Sequence, residues 1–186
     1  MTRIGIIIGS TRPGRKAEAV AKWVHDLAGK RDDATYELVD LADYDLPHLD
    51  EPVPAAKGPN YSQDHTRAWA ATIASYDGYV FVTPEYNHST SGVLKNAIDF
   101  LFVEWHNKSA GFVSYGLAGG TRAVEHLRLV MGELHVADVR SQVALSLFHD
   151  FEGGGTEFNP GAHQEEMLTR VLDQVVAWAE ALAPLH

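Results

Sequence analysis

The sequence contains no cysteine. That absence excludes disulfides, thiolate nucleophiles, cysteine-based zinc sites and iron–sulfur clusters together. Long hydrophobic runs are missing too: no stretch approaches the roughly 20 apolar residues that a membrane span needs. The apolar run from Ile4 to Ile8 is too short for the core of a signal peptide and is soon followed by Arg12, Arg15 and Lys16. A cytoplasmic protein with no membrane partner is therefore expected. Basic charge is also scarce. Fifteen Lys and Arg stand against 25 Asp and Glu, a net charge of −10. General nucleic-acid binders are basic, so no nucleic-acid partner is expected. The ten histidines form no H-E-x-x-H pair and no clustered carboxylate–histidine spacing, so no metal is expected.

What remains is ordinary globular material, 45% apolar and 22% charged over 186 residues. One domain spanning residues 1–186 accommodates it. The charge is uneven. Residues 1–31 hold seven basic side chains against only Glu18 and Asp26. A small local anion site is compatible with an acidic whole.

The pattern alternates strand and helix. Ile4-Gly5-Ile6-Ile7-Ile8 is continuously apolar and β-branched, as strands buried on both faces of a parallel sheet are. Ala17, Val20, Ala21, Val24, Leu27 and Ala28 recur at helical spacing, with Gly29 as a stop. Further strands are expected at Tyr36–Val39, Tyr79–Thr83 (with Pro84 ending the pairing), Ala110–Tyr115 and within Ser141–Leu147. Helices are expected at Gln63–Ser75, Ser91 to about Phe102, about Gly120–Leu134 and about His163–Ala183. The last carries an apolar stripe of Leu168, Val171, Leu172, Val175, Trp178, Ala179 and Leu182. Residues 40–62 carry four prolines and no clear period, so a long surface loop is expected. Five strand–helix alternations mean a parallel sheet covered on both faces. In such sheets ligands sit beyond the carboxyl ends of the strands.

Three loops occupy that position. Residues 9–16 read GSTRPGRK, which places Arg15 where a nucleotide P-loop needs Lys and Lys16 where it needs a hydroxyl. An NTPase and the G-x-G-x-x-G dinucleotide pattern are both rejected. Ser10 and Thr11 hydroxyls, the Arg12 and Arg15 guanidiniums and the following helix start still form an anion cradle. In residues 83–92, backbone amides near Asn87, between the Tyr86 and His88 rings, could grip a flat heterocycle. A loop that merely packs is an equal reading of the same residues. Residues 114–120 hold three glycines, more than a tight turn requires.

At these loops the sequence resembles the NADPH-dependent FMN reductase family of the flavodoxin-like superfamily. The carrying motifs are GSTRPGR at 9–15, PEYNHSTSGVLKNAIDFL at 84–101 and SYGLAGGTRA at 114–123. The resemblance implies an α/β, flavodoxin-like three-layer sandwich: a five-stranded parallel sheet in order 2-1-3-4-5 with helices on both faces. It implies bound FMN, with Ser10, Arg12, Arg15, Ala17, Glu18 and Ala19 at its phosphate. Pro84, Glu85, Tyr86, Asn87 and His88 would line the ring and ribityl chain, and Ser114, Tyr115 and Gly116 would complete the ring site. The Gly119 and Gly120 amides are candidates for a place near flavin N1. Many relatives carry Ser where Arg15 stands and Asn where Ala17 stands. NAD(P)H would be the electron donor and a quinone, free flavin or similar small molecule the acceptor, in ping-pong order, with no catalytic side chain. Relatives are commonly dimers, and the helix from Ser91 is apolar beyond one stripe, so a homodimer is expected. The alternatives are a flavodoxin-like electron carrier without turnover and a module that has lost its cofactor.

Overall fold

Along the first apolar segment, Ile4, Ile6 and Ile8 face one side of the sheet and Ile7 the other. Both sides are covered, so the segment has no polar face. In the computed structural model, which describes residues 1–153 and 156–186, this segment is the interior strand β1 (Arg3–Ile8). Its neighbours are β2 (Thr35–Asp40) and β3 (Gly78–Pro84), followed outward by β4 (Ser109–Gly116) and β5 (Ala137–Ser146). The sheet order is β2-β1-β3-β4-β5 and each neighbouring pair is parallel, as expected. Every residue of β3 and β4 is buried.

Parallel neighbours need crossovers, and the helices supply them: α1 (Ala17–Ala28), α2 (Asp64–Ala74), α3 (Gly92–Asp99) and α4 (Thr121–Glu133), with α5 (Ala162–Leu182) closing the chain. The core on one face joins α1 and α5 to Val80, Val82 and Val113. The other joins α2, α3 and α4 to Phe81 and Phe112. Two buried indoles on the second face set the position of α3. Trp69 Nε1 donates to the Ala97 carbonyl at 2.8 Å and Trp105 Nε1 to the Ile98 carbonyl at 3.2 Å. No helix among the described residues is long and apolar enough to cross a membrane.

Several boundaries differ from expectation for identifiable reasons. Pro84 does not end the pairing. It pairs with Tyr115, and the next amide, Glu85 N, donates to the Tyr115 carbonyl at 3.1 Å. Val82 uses its carbonyl toward Gly9, on the β1 side, so Pro84, two residues on, also turns its missing N–H to that side, beyond the end of β1. Helix α3 ends at Asp99, and Phe100 and Leu101, which looked like a second apolar stripe, are buried within the chain. Trp178 of α5 is 48% exposed rather than part of the buried stripe. A hairpin of two-residue strands, β6 (Phe151–Glu152) and β7 (Glu157–Phe158), was not expected, because strands so short leave no period to read.

The segment 40–62 is held by side chains rather than by regular structure. Asn96 donates to the Pro47 carbonyl at 2.7 Å and accepts from Leu49 N at 3.1 Å. Glu51 accepts from Ser62 N, Ser62 Oγ and Gln63 N at 2.9, 2.8 and 3.0 Å, just ahead of α2. Burial alone would raise the Glu51 carboxyl, but these donors outweigh it and hold the group at about 2. A carboxylate lowered in the folded state stabilises fully above its unfolded value and loses that contribution as pH falls. Glu51→Ala is expected to lower the melting temperature at neutral pH by a few degrees, like the loss of a helix cap worth about 1 kcal/mol. The gap to wild type closes as pH falls from the ordinary value of about 4.3 toward the folded one. A gap that stays constant through that window contradicts the contact.

Candidate functional site

The site begins where β1 runs out. Gly9 N donates to the Val82 carbonyl at 2.8 Å, and a Cβ on Gly9 would stand 2.8 Å from that oxygen and 2.9 Å from Leu94 Cδ2. Only glycine fits there. Ser91, the expected cap of α3, donates through Oγ to the Gly9 carbonyl at 2.5 Å and accepts from Leu94 N at 3.2 Å. One hydroxyl thus joins the loop after β1 to the start of α3. The chain then turns through Gly14, whose φ of +67° suits glycine, and enters α1.

The head of α1 is open. Lys16 stands at its N-cap position and no side chain caps it, so the first-turn amides lack the usual partner. Ser10 is buried beside it and Arg12 is exposed. Tyr115 packs in the core on the α1 and α5 side of the sheet. Burial raises the Tyr115 phenol above its ordinary value, and Arg12 offsets only part of that. Tyr115 therefore remains a proton donor at neutral pH. Tyr115, expected at the ring site, packs beside Phe151 with ring centroids 6.3 Å apart. A buried hydroxyl, an exposed guanidinium and open helix amides follow one another along this loop, a donor set suited to a phosphate.

Arg15 and Glu18 stand differently from Arg12. Arg15 donates to Glu18, Asp40 and the Ser10 carbonyl. Glu18 spends its carboxylate on Arg15, so it and the exposed Ala19 offer the cradle only backbone amides.

The loop after β3 folds back on itself. Tyr86 N donates to the Ser89 carbonyl at 2.9 Å and Ser89 N to the Tyr86 carbonyl at 3.0 Å. Between them Asn87 and His88 take φ of 48° and 72°. Two left-handed residues in succession make the hairpin turn that glycine and asparagine favour. His88, like Asn87, enters this region more readily than most side chains, at a cost in strain that glycine does not carry. Glu85 turns away from the loop. Its buried carboxylate pairs with Arg122 and accepts from Arg122 N at 3.1 Å, so it caps α4. Arg122 Nη1 also meets His88 Nδ1 at 3.3 Å. Arginine only donates, so this contact places the imidazole proton of His88 on Nε2. His126 Nδ1 lies 2.9 Å from Ser89 Oγ.

The glycine loop after β4 is closed by internal bonds. Ser114 Oγ donates to the Gly119 carbonyl at 2.7 Å, and Gly119 N donates to the Gly116 carbonyl at 3.2 Å. A Cβ on Gly120 would lie 2.7 Å from Ser114 Cβ. Ser114 and the Gly119 amide, both expected at the flavin, are spent on holding this loop. Cavities flank the three loops. One of about 690 Å³ lies on the β2 side against Thr11, Leu41, Tyr44 and Val93. Another of about 400 Å³ lies on the β5 side against Lys16, Leu117, Phe148 and Phe151.

Sequence reasoning missed Arg122, His126 and Asp40. Arg122 was within reach, as the first charged residue after the glycine run, and His126 follows it by one helical turn. Asp40 carried no signal, because its partner lies 25 residues away.

Known proteins resemble this chain over most of its length. The family described as NADPH-dependent FMN reductase matches residues 2–150. An NAD(P)H-dependent FMN reductase of Nectria sp is 44% identical over 140 residues, 70% of this chain and 70% of its own. A 2-hydroxy-1,4-benzoquinone reductase of Burkholderia sp is 30% identical over 162 residues, 80% of this chain and 79% of its own. Among solved structures, the FerB flavoenzyme NAD(P)H:(acceptor) oxidoreductase of Paracoccus denitrificans superposes with a TM-score of 0.73. It covers 97% of this chain and 98% of its own at 22% identity, a likeness of fold.

Strain at His88 is directly measurable. His88→Gly removes the left-handed penalty of about 1 kcal/mol and is expected to raise the melting temperature by about 2–4 °C. A lower melting temperature means that the turn is held by the imidazole contact to Arg122 instead.

Proposed function

The chain belongs to the NADPH-dependent FMN reductase family, and we propose that it transfers hydride from NAD(P)H through bound FMN to a quinone, free flavin or similar small acceptor. It is an oxidoreductase that uses FMN and NAD(P)H. The detailed reading is supported by the open head of α1, where the amides of Ala17, Glu18 and Ala19 follow the buried Ser10 and the exposed Arg12 in one loop. These groups would hold the FMN phosphate.

Bound flavin supplies the hydride chemistry, accepting from the donor and giving to the acceptor in two half-reactions at one place, a ping-pong order. The overall balance is NAD(P)H, one proton and a quinone giving NAD(P)⁺ and hydroquinone. The chain's own task is positioning. Tyr86, Asn87 and His88 present the turn after β3 to the flavin edge, and His88 turns its Nε2–H outward. Pro84 and Gly116 bring the backbone close, while Glu85 and Ser114 act indirectly by holding α4 and the glycine loop. The flanking cavities leave room for a second small molecule, which supports turnover over a flavodoxin-like electron carrier. Val93, Leu49, Val103 and Leu129 leave apolar surface exposed beside α3 and α4. That surface supports a homodimer.

Purified protein is expected to oxidise NADPH continuously with benzoquinone as acceptor. Flavin reduction without steady turnover favours the carrier. Arg12→Ala is expected to weaken FMN binding by about 1.5–3 kcal/mol, roughly 10- to 150-fold, through loss of a charge-assisted bond. Unchanged FMN affinity removes Arg12 from the site. Sedimentation at micromolar concentration is expected to give a dimer, and a monomer contradicts it.

A further inference from the structure

Arg15 is surrounded by acceptors from its own chain. Nε donates to Glu18 Oε1 at 2.9 Å. Nη1 donates to the Ser10 carbonyl at 2.6 Å and to Asp40 Oδ1 at 2.9 Å. Nη2 donates to Glu18 Oε1 at 2.6 Å and to Asp40 Oδ2 at 2.5 Å. A guanidinium has five N–H groups, and all are engaged. The two bonds to Asp40 form a parallel fork, the strongest arrangement open to this pair. The Arg15 side chain is 9% exposed and that of Asp40 20%, whereas Glu18 is 63% exposed. Asp40 is itself fixed: it ends β2, and its Oδ1 also accepts from Ala42 N at 2.9 Å.

The contacts span the phosphate loop. Arg15 stands at its end, the Ser10 carbonyl at its start and Asp40 on the neighbouring strand. Between them the turn is closed by one backbone bond, Arg15 N to the Arg12 carbonyl at 3.0 Å. Gly14 has no neighbour within 4 Å of where a Cβ would stand, so no packing holds the tip. The fork is what sets the loop's shape.

We infer that Arg15 and Asp40 are positioning residues, a clamp that pre-forms the loop for the FMN phosphate, and that Arg12 supplies the free cation. The inference rests on the FMN reading above. It opposes the simpler assignment of Arg15 as a direct phosphate ligand, and the two differ in sign for one substitution. Asp40→Asn replaces the charged fork by one neutral acceptor and loosens the guanidinium, while Glu18 and the Ser10 carbonyl still accept from it. A direct ligand then binds phosphate as well as before or better. A clamp fails.

The test uses flavin-free wild type, Arg15→Ala, Asp40→Asn and the double variant. Each is titrated with FMN and with riboflavin, which lacks the phosphate, by quenching of flavin fluorescence, and each is melted without flavin. Both single variants are expected to weaken FMN binding about tenfold or more. The double variant is expected to be no worse than either, since one unit is broken in all three. Riboflavin affinity is expected to change far less, which general unfolding of the site does not produce. Asp26→Asn, which breaks the exposed Lys22–Asp26 pair on α1 and leaves the fork in place, is expected to change FMN affinity by about twofold or less, as exposed ion pairs do. Asp40→Asn binding FMN as tightly as wild type, or additive melting losses for Arg15→Ala and Asp40→Asn, overturns the clamp alone. Wild-type protein that takes up no FMN overturns the flavin reading and the clamp's purpose with it.

Discussion

Burial of the central strands on both faces constrains everything else in this molecule. β3 and β4 present no solvent-facing side, and β1 is buried from Ile4 onward. No chemistry can be carried on the faces of such a sheet. Function is confined to the carboxyl edge, where the strands stop and their backbone groups must find new partners. They find them in loops: Gly9 N on Val82, Glu85 N on Tyr115, and the Gly9 carbonyl on the Ser91 hydroxyl. Each bond carries the order of the sheet one residue further into the site.

At that edge most charged groups are already paired. Glu85 with Arg122 closes the head of α4, and Arg15 with Asp40 and Glu18 braces the loop after β1. The head of α1 is left without a side-chain cap, at the end of the loop that holds the buried Ser10 and the exposed Arg12. In an acidic protein this pairing has a consequence. It withdraws carboxylates and guanidiniums together and leaves a small positive cradle that a single phosphate can satisfy. An oxidoreductase whose flavin supplies the hydride chemistry needs no reactive side chain, which agrees with a chain that has no cysteine.

Much of this was legible in the residues alone. The apolar Ile4–Ile8 run, the helical spacing from Ala17 to Ala28 and the Ser91 cap act locally, so their signals sit within a few positions of their effects. What was not legible depends on distance or on direction. Pro84 reads as a strand breaker until the end of β1 beside it is known. Nothing local shows that Tyr115 packs in the core on the α1 and α5 side of the sheet. Arg15 reads as a free cation because Asp40 is on another strand. The β6–β7 hairpin is too short to carry a period, and Phe100 and Leu101 look like an interface until the chain is seen to cover them.

The central claim is that the head of α1 takes a phosphate as its dianion. Phosphorus NMR of FMN bound to the protein, followed through an acid titration, tests it most directly. Free FMN takes up its second proton near pH 6, as phosphate monoesters do. Helix amides, hydroxyls and a guanidinium favour the dianion, so the bound phosphorus signal is predicted to keep its dianion position at least about one pH unit below that midpoint. A bound signal that titrates like free FMN would place the phosphate in solvent and contradict the account.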